Sequence, residues 1–105
     1  MNKTELAYSQ ELENRRLVGE VAWWRFEGIK LRLADKTFFT GDFAVMLRGG
    51  ELEIHEIKGF MEEDANVKLK CAAEMYPFTF RLVRYKAKRD GGGWDVREVG
   101  NKCEK

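Results

Sequence analysis

The pattern of apolar and polar positions along the chain predicts the element order α-β-β-β-α-β-β. The predicted strands are short alternating or β-branched runs separated by turn residues, and the predicted helices are longer segments without glycine or proline. The helices are predicted at residues 3–18 and about 63–75, and the strands at residues 29–33, 37–47, 51–59, 78–87 and 94–99. Such an order is typical of an α/β domain whose central sheet is covered by helices.

The first predicted helix has one apolar stripe. Tyr8 and Leu12 lie four residues apart and belong to it, and Glu5 lies on the same side, three residues before Tyr8. Glu5 is therefore the carboxylate of this helix that is predicted to point inward. Thr4 is a candidate N-terminal cap, and Gly19 is a candidate stop. Asp64 is a candidate cap for the second helix in the same way.

The segment 37–59 is predicted to form a β-hairpin that turns at residues 48–50, Arg-Gly-Gly. On its returning arm, Glu56 and Lys58 alternate in step with Ile54, so both fall on the side that should be packed. Isolated ions are costly to bury, and buried charges are usually paired or bound to metal. The two charged residues therefore need a partner.

The hairpin also brings a second acid near Glu56. A turn centred on residues 49 and 50 pairs position 42 with about 57 and position 43 with about 56, and a bulge at Gly41 would move Asp42 beside Glu56. Two carboxylates in reach of one hard cation suit Mg²⁺, or Mn²⁺ in its place. A structural ion pair between the strands is the alternative.

Composition limits the class of protein. We expect residues 1–100 to form a single domain and residues 101–105 a loose tail, and 44% hydrophobic residues are enough for a core. The longest apolar run, residues 43–47, is far shorter than the roughly 20 residues that cross a bilayer, and the N-terminus has no apolar signal core. Cys71 and Cys103 form no CxxC pair, which excludes a zinc ribbon or a thiol redox site. We therefore expect no membrane association and a cytoplasmic location.

Charge is unevenly distributed along the chain. Residues 1–64 contain 9 Lys and Arg against 13 Asp and Glu, whereas residues 65–105 contain 10 against 5. An acidic front half and a basic back half suit a protein that holds cations in one place and phosphates nearby. Chance in a small, charge-rich domain is the alternative.

The segments TGDF (40–43) and EIK (56–58), on two strands joined by a hairpin, resemble the PD-(D/E)xK nuclease superfamily, whose core order is α-β-β-β-α-β. The sequence looks closest to a family of small phage-encoded proteins, a domain of unknown function, with segments like KTELAY, FFTGDF, HEIKGF and DANVKLK. The resemblance covers about residues 3–85 and implies a restriction-endonuclease-like fold. At position 41, glycine stands where the family usually has proline.

The resemblance implies a role for each residue of the site. Asp42 and Glu56 would hold the metal, and the backbone carbonyl of Ile57 would be a further ligand. Lys58 would orient the attacking water and stabilise the charge that grows on phosphorus. Glu5 would complete the site, directly or through a water molecule. The implied activity is that of a Mg²⁺- or Mn²⁺-dependent endonuclease.

Basic residues in the second half are candidate DNA contacts. Lys68 and Lys70 lie on the second predicted helix, where one would contact phosphate, although a solvated helix face is an equally good interpretation. Arg84 and Lys86, with Lys88, share one face of a predicted strand. They would bind the DNA backbone, or protect an edge strand by their charge.

Three further side chains have two interpretations each. His55 is next to Glu56 but faces the opposite side, so we expect a supporting or surface residue rather than a catalytic base. Trp23 and Trp24 are expected to pack in or at the rim of the core, with base stacking or a dimer patch as the alternative.

These observations predict a metal-dependent DNA endonuclease, phage-encoded and acting in the host cytoplasm. A chain this short has little surface to grip DNA, so we expect a homodimer, with branched DNA as a plausible substrate by analogy. The alternatives are a non-catalytic DNA-binding or phage-packaging accessory protein that keeps the fold, and a nuclease directed at RNA.

Overall fold

The computed structural model describes residues 1–59 and 63–100, without the side chains of residues 63 and 64. Its elements are α1 (Lys3–Leu17), β1 (Val21–Phe26), β2 (Lys30–Ala34), β3 (Thr37–Thr40), β4 (Phe43–Leu47), β5 (Leu52–Ile57), α2 (Glu63–Met75), β6 (Thr79–Tyr85), a 3₁₀ turn (Lys88–Asp90) and β7 (Trp94–Glu98). The predicted tail at 101–105 and the predicted capping side chain of Asp64 lie outside the described part of the chain.

Five strands form one mixed sheet in the order β1-β4-β5-β6-β7. β5 and β6 run parallel, and every other neighbouring pair is antiparallel. Parallel neighbours need a crossover connection, and α2 lies in the segment that joins β5 to β6. β2 and β3 pair only with each other, as a separate hairpin. The predicted α/β class with a mixed central sheet and two helices is confirmed.

Each face of the sheet packs against its own hydrophobic cluster. On one face, α1 contributes to a buried cluster formed by Tyr8, Leu12, Val21, Phe43, Val45 and Val83. On the other face, α2 and the β2–β3 hairpin contribute to a buried cluster formed by Leu31, Phe39, Ala44, Ile54, Leu69, Ala72, Ala73 and Phe80. Alternate residues of β4 and β5 point to opposite faces, so the same two strands serve both clusters.

The ends of α1 show which local signals decide a helix boundary. The N-terminal cap is Asn2, whose side chain accepts a hydrogen bond from Glu5 N at 2.8 Å, while Glu5 Oε1 accepts from Asn2 N at 2.8 Å. The prediction of Thr4 as the cap is therefore wrong, because the reciprocal box satisfies two free backbone donors at once. The predicted stop is confirmed: the helix ends at Leu17, and Gly19 follows with a φ of +91°.

β1 is a strand that the sequence pattern did not predict. Its residues, VAWWRF, form an almost continuous apolar run without clear alternation, yet they pair with β4 at the edge of the sheet. Trp24 is half-buried against the α1-side cluster, and its Nε1 donates to Glu13 at 2.9 Å. This confirms rim packing for Trp24, whereas Trp23 is exposed.

The segment 37–47 is not one strand, as predicted, but two. β3 ends at Thr40 in the separate hairpin, and β4 begins at Phe43 in the main sheet. Between them, Gly41 is buried, and a Cβ atom at that position would overlap with Cγ2 of Ile54. The chain passes so close to Ile54 that only glycine fits without rearrangement.

The register between β4 and β5 differs from the prediction by one residue. Leu47 N donates to Glu51 O at 2.9 Å, so the turn is centred on Gly49, and Phe43 pairs with His55. Gly50 has a φ of +99°, which suits the last position of a three-residue turn. The prediction of a bulge at Gly41 is wrong, because the register set by the turn already places positions 42 and 56 opposite each other.

The second half of the chain contains one internal strand and one edge strand. β6 lies between β5 and β7, so the interpretation of the basic residues at 84–88 as protection of an edge strand is wrong. The strand ends at Tyr85, so Lys86 and Lys88 lie beyond it. The predicted edge strand at the C-terminal side is confirmed as β7. Among residues 1–59 and 63–100, no helix is long and apolar enough to span a membrane.

Candidate active site

Two carboxylates lie side by side where β4 begins and β5 ends. Glu56 Oε1 accepts a hydrogen bond from the backbone N–H of Asp42 at 3.2 Å, and Asp42 Oδ2 accepts from the backbone N–H of Ile57 at 2.7 Å. Each carboxylate is thus held by the backbone of the other strand. The predicted proximity of Asp42 and Glu56 is confirmed, and both residues are half-buried.

Burial and mutual repulsion disfavour the charged forms of this pair. Burial raises the pKa of Asp42 to about 6, although the hydrogen bond from Ile57 acts in the opposite direction. Burial, and then the charge of Asp42, raise the pKa of Glu56 to about 8. Because the two groups are coupled, they titrate as a unit and retain a proton at neutral pH when no cation is bound.

Two more acids contribute negative charge near the acid pair. Glu5, in the first turn of α1, is half-buried, and its Oε1 accepts from Asn2 N. Its charge raises the pKa of both Asp42 and Glu56, and its role in completing the site stays a prediction. Glu27 acts on both groups in the same direction. Its backbone N–H also donates to Asp42 O at 2.8 Å. Glu27 was not predicted from the sequence because β1 was not predicted. An acid directly after the run VAWWRF was the available signal.

The donor set of the acid pair fits a hard divalent cation. Both side chains present carboxylate oxygens, and neither is in an ion pair within the described residues. Mg²⁺ typically binds one or two carboxylates and retains several waters, so a complete protein cage is not required. No three His, Cys, Asp or Glu side chains converge into such a cage in the described part of the chain. For Ile57, the structure shows the N–H that fixes Asp42, and the ligand role of its carbonyl stays a prediction.

Lys58 follows the acid pair at the end of β5. Its backbone N–H donates to Val83 O at 2.7 Å, which extends the pairing with β6 by one residue. The prediction that its side chain is packed is wrong: β5 ends at Ile57, and the side chain of Lys58 is exposed. The ammonium group makes no ion pair with any described residue, so it is accessible to a phosphate.

Beside Glu56, a cleft of about 230 Å³ lies between residues of β3 and α2. Its lining residues are Phe38, Phe39, Thr40, Glu56, Ala65 and Lys68. The structure therefore places Lys68, but not Lys70, in the same cleft as Glu56. The phosphate contact of one of these two lysines stays a prediction. Lys70 is exposed and does not line the cleft.

The other two predicted DNA contacts lie outside this cleft. Arg84 is exposed, and its Nη2 donates to Asp95 Oδ2 at 3.2 Å on the neighbouring strand. Lys86 is half-buried, and its backbone N–H donates to Gly93 O at 2.9 Å. Because β5 and β6 are parallel, Lys86 lies at the same end of the sheet as Lys58.

His55 is fully buried, so its interpretation as a surface residue is wrong. Its Nδ1 lies 2.7 Å from Tyr8 Oη, its Nε2 lies 2.9 Å from Glu53 Oε1, and Glu53 Oε2 accepts from Arg81 at 3.0 Å. Burial lowers the pKa of His55. The neutral ring donates to Glu53 and accepts from Tyr8, and this chain of bonds ties α1 to β5 and β6.

No protein-family model matches the sequence, and no curated protein or solved structure matches it. The site consists of two coupled carboxylates, an accessible lysine two residues after Glu56, and a cleft with a second lysine. This arrangement can hold a divalent cation and attract a phosphate, and both belong to phosphoryl chemistry.

Proposed function

We propose that the protein is a metal-dependent DNA endonuclease of the PD-(D/E)xK type, which hydrolyses phosphodiester bonds. The observation that carries the proposal is the pair Asp42 and Glu56, which lie side by side, with the exposed Lys58 directly after the end of β5. A carboxylate pair in this setting is costly for a merely structural role, because burial and repulsion both disfavour its charges. Binding of a cation would offset both costs.

The topology supports the same proposal. In chain order, α1 is followed by the antiparallel series β1, β4 and β5, then by α2, and then by β6, which runs parallel to β5. With the β2–β3 hairpin treated as an insertion, this order agrees with the α-β-β-β-α-β order that the resemblance to the superfamily implies. β7 then adds an antiparallel edge strand.

The departure at position 41 has a local structural explanation. A Cβ atom at Gly41 would overlap with Ile54, which is 2% exposed and belongs to the core. A proline ring would meet the same obstacle, so a chain with isoleucine at position 54 requires glycine here. The departure therefore concerns packing and leaves Asp42 in place.

Each residue of the site has a role in the proposed reaction. Asp42 and Glu56 hold the cation, which when bound supplies Lewis-acid stabilisation of the charge on the phosphate and a more acidic water. The exposed ammonium of Lys58 contacts the scissile phosphate and stabilises the negative charge that develops there. Lys68 binds phosphate in the cleft. The carboxylate of Glu5 adds negative charge that favours retention of the cation.

The proposal extends to a homodimer that acts on branched DNA. Two copies would provide two sites for two strands and twice the contact surface. Sedimentation equilibrium tests the dimer, and a comparison of a four-way junction with a linear duplex of the same sequence tests the substrate.

Cleavage assays test the activity. Supercoiled plasmid and a four-way junction are incubated with the protein in Mg²⁺, in Mn²⁺ and in EDTA, beside Asp42→Asn and Lys58→Ala. Asp90→Asn is the matched control, since Asp90 is an exposed acid of the 3₁₀ turn. We expect cutting that requires metal, is lost in the first two variants and persists in the control.

Two results would overturn the proposal. Wild-type cutting by Asp42→Asn would show that a contaminating nuclease or another site is responsible. DNA binding that is equal with and without metal, with no cutting of any substrate, would instead favour the accessory protein. Matched RNA substrates identify a nuclease directed at RNA in the same assay.

A further inference from the structure

The β2–β3 hairpin has one face that packs and one face that is open to solvent. The outward residues, here called the hairpin face, are Lys30, Arg32, Phe38 and Thr40, and all four are exposed. In the antiparallel register, Lys30 pairs with Thr40 and Arg32 pairs with Phe38, so the four side chains are direct neighbours. The inward residues Leu31 and Phe39 are buried beside α2.

The hairpin face combines positive charge with an accessible aromatic ring. Lys30 Nζ lies over one face of the Phe38 ring, 4.6 Å from its centroid, and Phe38 is 39% exposed. A base can therefore stack on the other face, or on this face once Lys30 has moved to a phosphate. Neither Lys30 nor Arg32 is in an ion pair with a described residue, and no acid belongs to the face. Cations beside an aromatic ring are the combination with which proteins bind single-stranded nucleic acid, because phosphates meet the cations and bases stack on the ring.

The hairpin face is continuous with the cleft of the candidate active site. Phe38 and Thr40 belong to the face and also line the cleft beside Glu56. Two hydrogen bonds anchor the hairpin. Where the hairpin leaves and rejoins the sheet, Glu27 N donates to Asp42 O at 2.8 Å. Directly after α2, Tyr76 Oη donates to Arg32 O at 2.6 Å. A strand bound on the face would therefore be led towards the acid pair.

We propose that the hairpin face binds an unpaired DNA strand next to the cleavage site, with Phe38 stacked on a base and with Lys30 and Arg32 on phosphates. This inference deepens the proposed function, on which it depends, by naming the substrate class: DNA with a single-stranded segment at the cut. An intact duplex keeps its bases stacked on each other, so it would use the two cations without the ring.

DNA binding tests this inference without cleavage. Every variant is made in the Asp42→Asn background, in EDTA, and is titrated against a fluorescein-labelled 20-nucleotide strand and the corresponding duplex. We expect Phe38→Ala to weaken single-strand binding about 10-fold, since stacking contributes roughly 1–3 kcal/mol per base, and to change duplex binding less than about 2-fold. Phe38→Trp keeps the stacking surface and should restore single-strand affinity.

The charge contribution needs a matched control. Lys30→Ala with Arg32→Ala should weaken binding of both substrates and lower the salt slope of single-strand binding by about 1.4, that is 0.7 for each lost phosphate contact. Arg89→Ala with Arg97→Ala also removes two positive charges, from exposed positions in the 3₁₀ turn and on the edge strand β7. This control pair should leave the salt slope unchanged.

Three outcomes would overturn the inference: unchanged single-strand affinity in Phe38→Ala, an equal loss for the duplex, or an equal effect of the control pair. Circular dichroism and thermal melting confirm that each variant is folded. Since the assay measures binding alone, a chain that binds as expected but never cuts DNA would contradict the proposed function and leave the role of the hairpin face intact.

Discussion

Asp42 and Glu56 fix each other's position through the backbone of the opposite strand. Asp42 N donates to the carboxylate of Glu56, and Ile57 N, one residue beyond Glu56, donates to the carboxylate of Asp42. The acid pair is therefore part of the strand pairing rather than an addition to it. Any change that shifts the register between β4 and β5 would also separate the two carboxylates.

Without a cation, neutralising one acid of the pair should stabilise the protein. The raised pKa of Glu56 means that the folded chain holds its proton more tightly than the unfolded chain, so stability falls as pH rises from about 4.5 to about 8. Glu56→Gln keeps the acceptor for Asp42 N and removes this charge. We expect it to be about 1–2 kcal/mol more stable than wild type at pH 8 in EDTA, with little difference at pH 4.5.

Urea denaturation at the two pH values measures that difference. Added Mg²⁺ should raise the melting temperature of wild type and have less effect on Glu56→Gln, because only a ligand that binds the folded state stabilises it. If Glu56→Gln is less stable than wild type at pH 8, other groups in the protein already stabilise the negative charge of the acid pair.

The two lysines of α2 should differ in function. Lys68 lines the cleft with Glu56, whereas Lys70 is exposed outside it. We expect Lys68→Ala to slow plasmid cleavage about 10-fold, the loss of one phosphate contact, and Lys70→Ala to stay within about 2-fold of wild type. Single-turnover rates at saturating Mg²⁺ provide the comparison. Equal losses in the two variants would indicate a general charge effect.

A side chain at position 41 should destabilise the core. The added Cβ of Gly41→Ala overlaps with Cγ2 of Ile54, and overpacking of this kind costs about 1–3 kcal/mol. In an Ile54→Ala background the obstacle is gone, so the same substitution should cost much less. A double-mutant cycle by urea denaturation measures this coupling. Additive effects of the two substitutions would contradict the close approach.

The buried hydrogen bond between Tyr8 and His55 should contribute more to stability than the hydrogen bond between Trp24 and Glu13 at the rim of the core. Tyr8→Phe leaves Nδ1 of a fully buried histidine without its partner, which costs about 1–3 kcal/mol. Trp24→Phe removes the bond from Trp24 Nε1 to Glu13, but Glu13 retains Arg16 and solvent. We expect a cost below about 1 kcal/mol there, beyond any change in packing, by chemical denaturation. Equal costs would indicate that water replaces Tyr8.

Glu53 should make the protein sensitive to acid. Burial alone would raise its pKa, but the hydrogen bonds from His55 and Arg81 outweigh burial and lower it to about 2. A folded pKa below the unfolded value of 4.5 gives stability that is present above pH 4.5 and lost as pH falls towards 2. The shift corresponds to about 3 kcal/mol.

Glu53→Gln tests this assignment. The variant should be less stable than wild type at pH 6 and should lose less stability between pH 4.5 and pH 2, as measured by urea denaturation across that range. Parallel curves for the two proteins would mean that other groups cause the acid sensitivity.

Local signals were sufficient for much of the fold. The span of α2, residues 63–75, was predicted as observed, because a run of helix formers before Pro77 leaves little choice. The stop at Gly19 and the edge strand after the glycine turn followed from local rules as well. Asp42 and Glu56 were found because the arms of one hairpin bring their residues together regardless of the rest of the fold.

The wrong predictions concern features that depend on contacts between residues distant in sequence. The run VAWWRF is rich in residues that favour strands, but it shows no clear alternation, and its pairing partner in β4 lies about 20 residues away. The break at Gly41 depends on Ile54 of another strand, and the burial of His55 depends on Tyr8 of α1. Alternation showed correctly that His55 and Glu56 face opposite sides, but not that helices cover both sides.

The sequence by itself determined the helices, the main hairpin and the types of side chain available for a site, because these depend on residues near each other in the chain. The tertiary structure alone decided what surrounds them. It placed Glu27 beside the acid pair, set the β2–β3 hairpin next to the cleft, and gave His55 a buried partner at each ring nitrogen. These features arise between elements that are distant in sequence, where burial and charge depend on how the layers pack.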